Sequence, residues 1–438
     1  MKEVISIHVG QCGVQVGNAV WELYCAEHAV KTDGSLYEHP HDQEWVETFF
    51  NLSEKGRYVP RCLFIDLEPS VIDEIRVGPW RSLFHPDKLI TGYEDAANNF
   101  ARGYFTVGKV LLSPILNEVR RTIEQCDGLQ GLLFFRSLGG GTGAGLTAAI
   151  LDVLGDYRKY TKVEIPIYPA PSLSPAVVEP YNCIFGEHFA MEDFNMGLLM
   201  DNEALYDVCS RFLSSRYTTY TKINRLTAIV VSAITASLRF KNTLMADLNV
   251  TQTNLIPYPR IHFPLANFAP FISPDKTEYE PSRVKEITKS VFDRENQLIK
   301  IDPTYGKFMS CALLYRGNVS PAEVYDALAE MKYCRGLKFV DWCPTGFKVG
   351  ITTETPVSRW DSGIGQMSKN VVMLANNSAV GQAWQRIVRK YYMLYSKRAF
   401  VHWYVGEGME EDEFNEALVN MTSLVKDYEE VARDSSDN

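Results

Sequence analysis

From residue 3 to residue 145, short runs of β-branched and aromatic residues alternate with stretches whose apolar positions recur at helical spacing. That rhythm predicts an α/β fold in which a parallel sheet is covered by helices. Val4-Ile5-Ser6-Ile7-His8-Val9, Cys62-Leu63-Phe64-Ile65-Asp66 and Leu132-Leu133-Phe134-Phe135 read as strands, as does 163–168. Each is followed by a polar or Gly-rich loop, and such sheets bind ligands outside the carboxyl ends of their strands. The loops concerned are Gly10-Gln11-Cys12-Gly13, Asp66-Leu67-Glu68, 137–145 and 169–179.

Residues 222–240 are apolar on most faces, with Ile229-Val230-Val231-Ser232-Ala233-Ile234 at the centre. A helix of that kind is expected to lie buried between two domains. Beyond it, Pro257, Pro259, Pro264 and Pro270 punctuate the chain, and strands are predicted at 307–315, 337–342 and 370–374 with helices between them. The end reads as helical over 379–395 and 410–431, where Phe414, Leu418, Met421 and Leu424 form an apolar stripe opposite acidic residues.

Length and composition narrow the classes. A chain of 438 residues exceeds one ordinary core and suggests roughly two or three domains. Hydrophobic content of 46% with 22% charged residues matches a globular protein rather than a disordered one. No run reaches the ~18 to 20 apolar residues a membrane-crossing helix needs, and the first residues enter a strand without a secretory-type apolar stretch, so a cytosolic location is expected. Nine cysteines are scattered and never spaced as Cys-x-x-Cys, which disfavours a disulfide framework and a zinc site. A formal net charge of −10 argues against nucleic acid and suits basic partners.

The strongest local signal is Gly139-Gly140-Gly141-Thr142-Gly143-Ala144-Gly145, between a strand and a helix. Backbone amides freed of side chains can approach phosphate oxygens there, and the helix N-terminus favours their charge. No Gly-Lys-Ser/Thr follows, which excludes a P-loop. Gly139-x-Gly141-x-x-Ala144, with Glu164 about twenty residues on, loosely fits the dinucleotide fingerprint. A nicotinamide-dependent oxidoreductase is therefore the rival reading, weakened because that motif usually follows the first strand.

With its neighbours, the loop resembles the signature of tubulins, nearly end to end. The strings are Gln11-Cys12-Gly13, Asp66-Leu67-Glu68-Pro69, Glu94-Asp95-Ala96-Ala97-Asn98-Asn99, Tyr168-Pro169-Ala170-Pro171, Val178-Glu179-Pro180-Tyr181-Asn182 and Asp201-Asn202-Glu203-Ala204, with 232–240, 258–264, 340–348 and 397–411 further on. The 400–411 string and the long 352–365 loop resemble the α-type rather than the β-type subunit. The resemblance implies a Rossmann-like GTPase domain with a parallel sheet over 1–242, including the core helix, an intermediate α/β domain over 243–378, and a C-terminal helical hairpin with a short tail over 379–438.

It further implies GTP and Mg²⁺ as cofactors. Gln11 and Glu68 would lie near the phosphates and the metal, with Asp95 and Asn98 beside them. Ser137, Gly140, Gly141, Thr142 and Gly143 would cradle the phosphates; Glu179 and Asn202 would meet ribose and base; Tyr220 would stack on the guanine and Asn224 would read its edge. The implied partners are β-tubulin, neighbouring subunits of a microtubule lattice, motors and microtubule-associated proteins, with neither nucleic acid nor membrane, in the cytoplasmic cytoskeleton.

Several positions depart from that pattern. Val250 stands where the α-type has the glutamate that activates water at the next subunit's GTP, so hydrolysis is expected to slow. Pro175 replaces a threonine near the ribose, and Pro114 falls inside a helical stretch, 111–125. The 34–47 loop is short and lacks a lysine, which removes the family's acetylation site. Tyr279 replaces a histidine in the lateral-contact loop, 273–284. The tail Asp434-Ser435-Ser436-Asp437-Asn438 has neither a glutamate run nor a terminal tyrosine.

Overall fold

The computed structural model describes residues 2–37, 43–157, 159–172, 174–212, 218–244, 247–275, 283–332, 337–343, 346–357 and 365–433. Tyr279, the last five residues and half of the 352–365 loop fall outside them, as does the middle of the 34–47 loop.

The first part runs β1 (Glu3–Val9), α1 (Gly10–Glu27), β2 (Phe50–Leu52), β3 (Tyr58–Pro60), β4 (Cys62–Asp66), α2 (Pro69–Val77), β5 (Leu89–Thr91), α3 (Val107–Glu124), β6 (Leu129–Ser137), α4 (Thr147–Val153), β7 (Thr161–Tyr168), α5 (Glu179–Ala190), β8 (Met196–Gly197), β9 (Met200–Asp201), α6 (Asn202–Phe212) and α7 (Tyr220–Arg239). Its main sheet has the order β5-β4-β1-β6-β7-β8, with β9 also on β7. Every pairing in it is parallel, with Ile7 opposite both Leu63 and Phe134. Strands covered on both faces are largely apolar, and β1 and β7 are buried at every position, their few polar residues included. Ile5, Ile7 and Val9 pack with Ile115 and Ile150 of α3 and α4. The other face, with Phe64 and Phe135, packs with Trp21 and Val230 of α1 and α7.

The expected central helix is α7, buried from Leu226 to Arg239. It lies between this sheet and a second one built from β10 (Asn242–Leu244), β11 (Leu265–Ala269), β12 (Phe308–Gly317), β13 (Phe347–Thr352) and β14 (Lys369–Asn377), flanked by α8 (Leu248–Leu255), α9 (Val284–Val291) and α10 (Pro321–Lys332). Its order is β10-β13-β12-β14-β11, parallel only between β12 and β13. The strand expected at 337–342 is replaced by a single bridge, Phe308 to Phe339. The place beside β12 is taken by β13, whose register is set over six residue pairs from Cys311–Phe347 to Arg316–Thr352.

Three helices close the chain: α11 (Val380–Tyr395), α12 (Val401–Val405) and α13 (Glu411–Val431). Glu410 and Glu413 form a reciprocal capping box that starts α13. Phe414, Met421 and Leu424 are buried against Trp384, Tyr391 and α5, while Leu418 is only partly buried. No helix among the described residues is long and apolar enough to cross a membrane.

Candidate functional site

The carboxyl ends of β1, β4, β6 and β7 open into one cavity of about 690 Å³, a size suited to a small molecule. β1 passes into α1 through Gly10 at φ +73°, where an added Cβ would come 3.2 Å from the Gly143 nitrogen. β4 ends at Asp66, whose Oδ1 accepts the Leu67 N–H at 2.8 Å. Glu68 precedes α2 and accepts from Ser70 Oγ at 2.7 Å. After β6, the glycine turn enters a helical segment, Thr142–Leu146, that continues as α4. Gly141 has no room for a side chain: a Cβ would stand 2.6 Å from the Asn99 nitrogen.

Gln11, Glu68, Asp95, Asn98, Ser137, Gly140, Gly141, Thr142, Gly143, Glu179, Asn202 and Tyr220 all line this cavity, as does Pro175. Asn224 does not: four residues along α7 carry it about 6 Å further along the helix axis. The cavity also takes in Gly10, Cys12, Asp66, Gly139, Tyr168, Glu203 and Tyr206, which had no assigned role. Asp66 and Tyr168 were visible as strand ends. Tyr206 follows Asn202 by four residues on α6, the spacing that puts two side chains on one helix face.

Charge is divided across the site. Burial pushes the Asp66 carboxyl up to about 7, and the nearby Asp95 and Glu68 add to the rise against the pull of the Leu67 and Glu68 amides. Burial also raises Glu179, which Ser174 Oγ stabilises with a 2.5 Å hydrogen bond. Facing the acids is the glycine turn, and no lysine or arginine is among the described lining residues. A polyanion here would be met by backbone amides and by a cation shared with the carboxylates. No cluster of three His, Cys, Asp or Glu among the described residues could hold a metal alone. The arrangement suits an ion such as Mg²⁺, which is bound through one or two carboxylates plus phosphate oxygens.

At the other end, Tyr220 is 61% exposed and meets Tyr206 edge-on at 6.3 Å, forming an aromatic wall for a base. Asp201 accepts the Ala204 N–H at 2.5 Å and the Lys300 N–H at 2.6 Å, which fixes the start of α6 and with it Asn202. The dinucleotide alternative fails at Glu164. That carboxylate is fully buried, paired with Arg136 at 2.6 Å, and cannot reach a ribose.

Val250 is half-buried on α8 and does not line the cavity. α8 is tied to the opposite end of the sheet, where Thr161 Oγ1 at the start of β7 donates to Asn249 Oδ1 at 2.6 Å. Eight strand residues separate that end from the cavity, about 23 Å at ~3.3 Å per residue. A second cavity beside α8, about 770 Å³ and lined by Gln252, Tyr258, Arg260 and Asn420 among others, contains none of the expected site residues.

Comparison with known families agrees with this geometry. Residues 3–210 match the GTPase domain of the Tubulin/FtsZ family, and residues 259–389 match the tubulin C-terminal domain. Two successive domains of one architecture, in order and around a glycine-lined cavity at the strand ends, mean that the chain belongs to the tubulin/FtsZ family as a tubulin-like, GTP-binding protein.

Proposed function

We propose that this chain is an α-type structural subunit that binds GTP with Mg²⁺, pairs with a β-type partner and stacks head to tail into protofilaments of cytoplasmic microtubules. The observation that carries this reading is the polarity of the first sheet: the nucleotide cavity opens at one end, and α8 with Val250 is fixed at the other. A heterologous, head-to-tail contact repeats such a pair of unlike ends along a filament. The α rather than β assignment rests on the 400–411 string and on the 352–365 loop.

In this reading, amides of Gly140 to Gly143 and Ser137 hold the phosphates. Gln11, Asp95 and Asn98 surround the terminal one, and Glu68 shares the Mg²⁺ with it. Tyr220 and Asn202 hold base and ribose, with Asn224 approaching only if the start of α7 shifts. Mg²⁺ supplies charge neutralisation between phosphate and carboxylate. The outward face of α13 is acidic and suits basic patches on motors and associated proteins.

Val250 cannot accept a proton or orient water at the next subunit's nucleotide. Asp247, three residues earlier, is ion-paired with Lys2 and therefore a poor substitute. Loss of a general base costs about 10²- to 10⁴-fold in rate, so polymers of this chain keep GTP longer and depolymerise more slowly. Phosphate release from copolymers with β-tubulin tests it: Val250→Glu should accelerate release by about 10²-fold or more. Equal rates for the two chains would refute the assignment of α8 to the neighbour's nucleotide.

A further inference from the structure

Asn182 on α5 is fully buried and uses every hydrogen-bonding position of its amide. Nδ2 donates to the carbonyls of Asn98 at 2.7 Å and Gly139 at 3.0 Å. Oδ1 accepts from the Phe100 N–H at 3.0 Å and from the Tyr404 hydroxyl at 2.8 Å. One side chain thus joins, from behind, the turn carrying Asp95 and Asn98 to the turn carrying the glycines.

The first of these turns needs such support. Ala97 and Asn98 stand at φ 47° and 55°, a left-handed pair without glycine, which persists only where the surroundings over-determine it. The C-terminal segment supplies three of the restraints. Asn99 Nδ2 donates to the Trp403 carbonyl at 3.0 Å, Tyr404 reaches Asn182, and Glu407 accepts from Thr106 Oγ1 at 2.7 Å.

The order of strands says which part of the nucleotide this turn meets. α6 and the aromatic wall lie at the β9 edge, whereas the 92–99 turn leaves β5 at the far edge. A base held by Tyr206 and Tyr220 therefore points its last phosphate toward Asn98.

We propose that Asn182 and Tyr404 are positioning residues that hold these two turns at the spacing a nucleoside triphosphate requires, and so favour it over the diphosphate. The proposal rests on reading the cavity as a GTP site. Tyr404→Phe keeps the ring and removes one hydroxyl. Asn182→Asp can still accept two hydrogen bonds but donates none to the carbonyls of Asn98 and Gly139.

The test uses the full-length chain, with any subunit it purifies with, loaded with labelled GTP or GDP and chased with excess unlabelled nucleotide. Amide hydrogen exchange over 94–106 is followed in the same samples. Tyr404→Phe should shorten GTP retention about two- to tenfold, the worth of one hydrogen bond, while GDP retention stays unchanged and exchange over 94–106 accelerates. Asn182→Asp should do the same more strongly. Equal losses for GTP and GDP, or no change in either, would overturn the positioning role. An unsubstituted chain that retains neither nucleotide would instead overturn the site reading, and the proposal with it.

Discussion

At the scale of single residues, the buried imidazoles weaken the fold in acid. His8 lies between the rings of Phe64 and Phe135 at 4.7 and 4.5 Å, and its Nε2 accepts from Trp21 Nε1 at 3.1 Å. Burial holds its pKa at about 3, and holds His28 at about 3 and His262 at about 4. In the unfolded chain each binds a proton near 6.5. Between these values the unfolded state binds more protons at these sites, so their contribution to stability is complete above pH 6.5 and is lost as pH drops toward 3. Each buried histidine contributes about 1.4 kcal/mol per pH unit in that window. His8→Gln lowers stability at every pH, but its urea-unfolding free energy should fall less steeply between pH 6.5 and 4. Parallel curves for the two proteins would mean that His8 does not govern the response.

At the scale of elements, α3 continues from Val107 to Glu124 with Pro114 inside it. Proline supplies no N–H to the carbonyl four residues back, at Val110, a residue 75% exposed and so within reach of water. A proline inside a helix costs about 3 kcal/mol, partly offset by ~0.4 to 1 kcal/mol from a stiffer unfolded chain. Pro114→Ala should raise the unfolding free energy by about 2 kcal/mol, read from the urea midpoint at constant slope; an unchanged midpoint would mean that the helix tolerates the ring without strain. The same balance of local and distant forces explains what was legible beforehand. β1, β4, β6 and β7 are rich in β-branched and aromatic residues and announce themselves, and the loops that follow them name most of the cavity. Residues 337–342 are rich in strand-forming Leu, Phe, Val and Trp, yet β13 holds the place beside β12, because a six-pair register outweighs local propensity. Tyr206 is legible only in the fold: it joins the site when α6 and α7 bring it against Tyr220, whereas Asp66 stands at a strand end that the sequence already marks.

At the scale of the whole molecule, the two sheets are joined through α7 by a buried ionic cluster. Glu27 of α1 receives Arg239 of α7 at 2.7 Å and Arg316 of β12 at 2.6 Å, and Ser232 Oγ donates to it at 2.7 Å. Burial alone would raise the Glu27 carboxyl; the two guanidinium groups and the Ser232 hydroxyl overcome that and hold it at about 2. Arg316 also donates to the carbonyls of Glu354 and Thr355, and both arginines lie against the Phe240 ring. One carboxylate therefore answers two buried cations that belong to different layers. Removing it takes the shared carboxylate from both, a loss of about 3 to 5 kcal/mol for a broken buried pair. The consequence reaches function, since α7 is what fixes the second sheet and α8 relative to the nucleotide end of the first. Glu27→Gln should lower global stability by about that amount and split unfolding into two steps, the second sheet leaving before the first. Urea unfolding followed by amide exchange in β6 and β12 separates the two outcomes: simultaneous loss of protection in both strands, with under ~1 kcal/mol of destabilisation, would show that apolar packing along α7 suffices without the cluster.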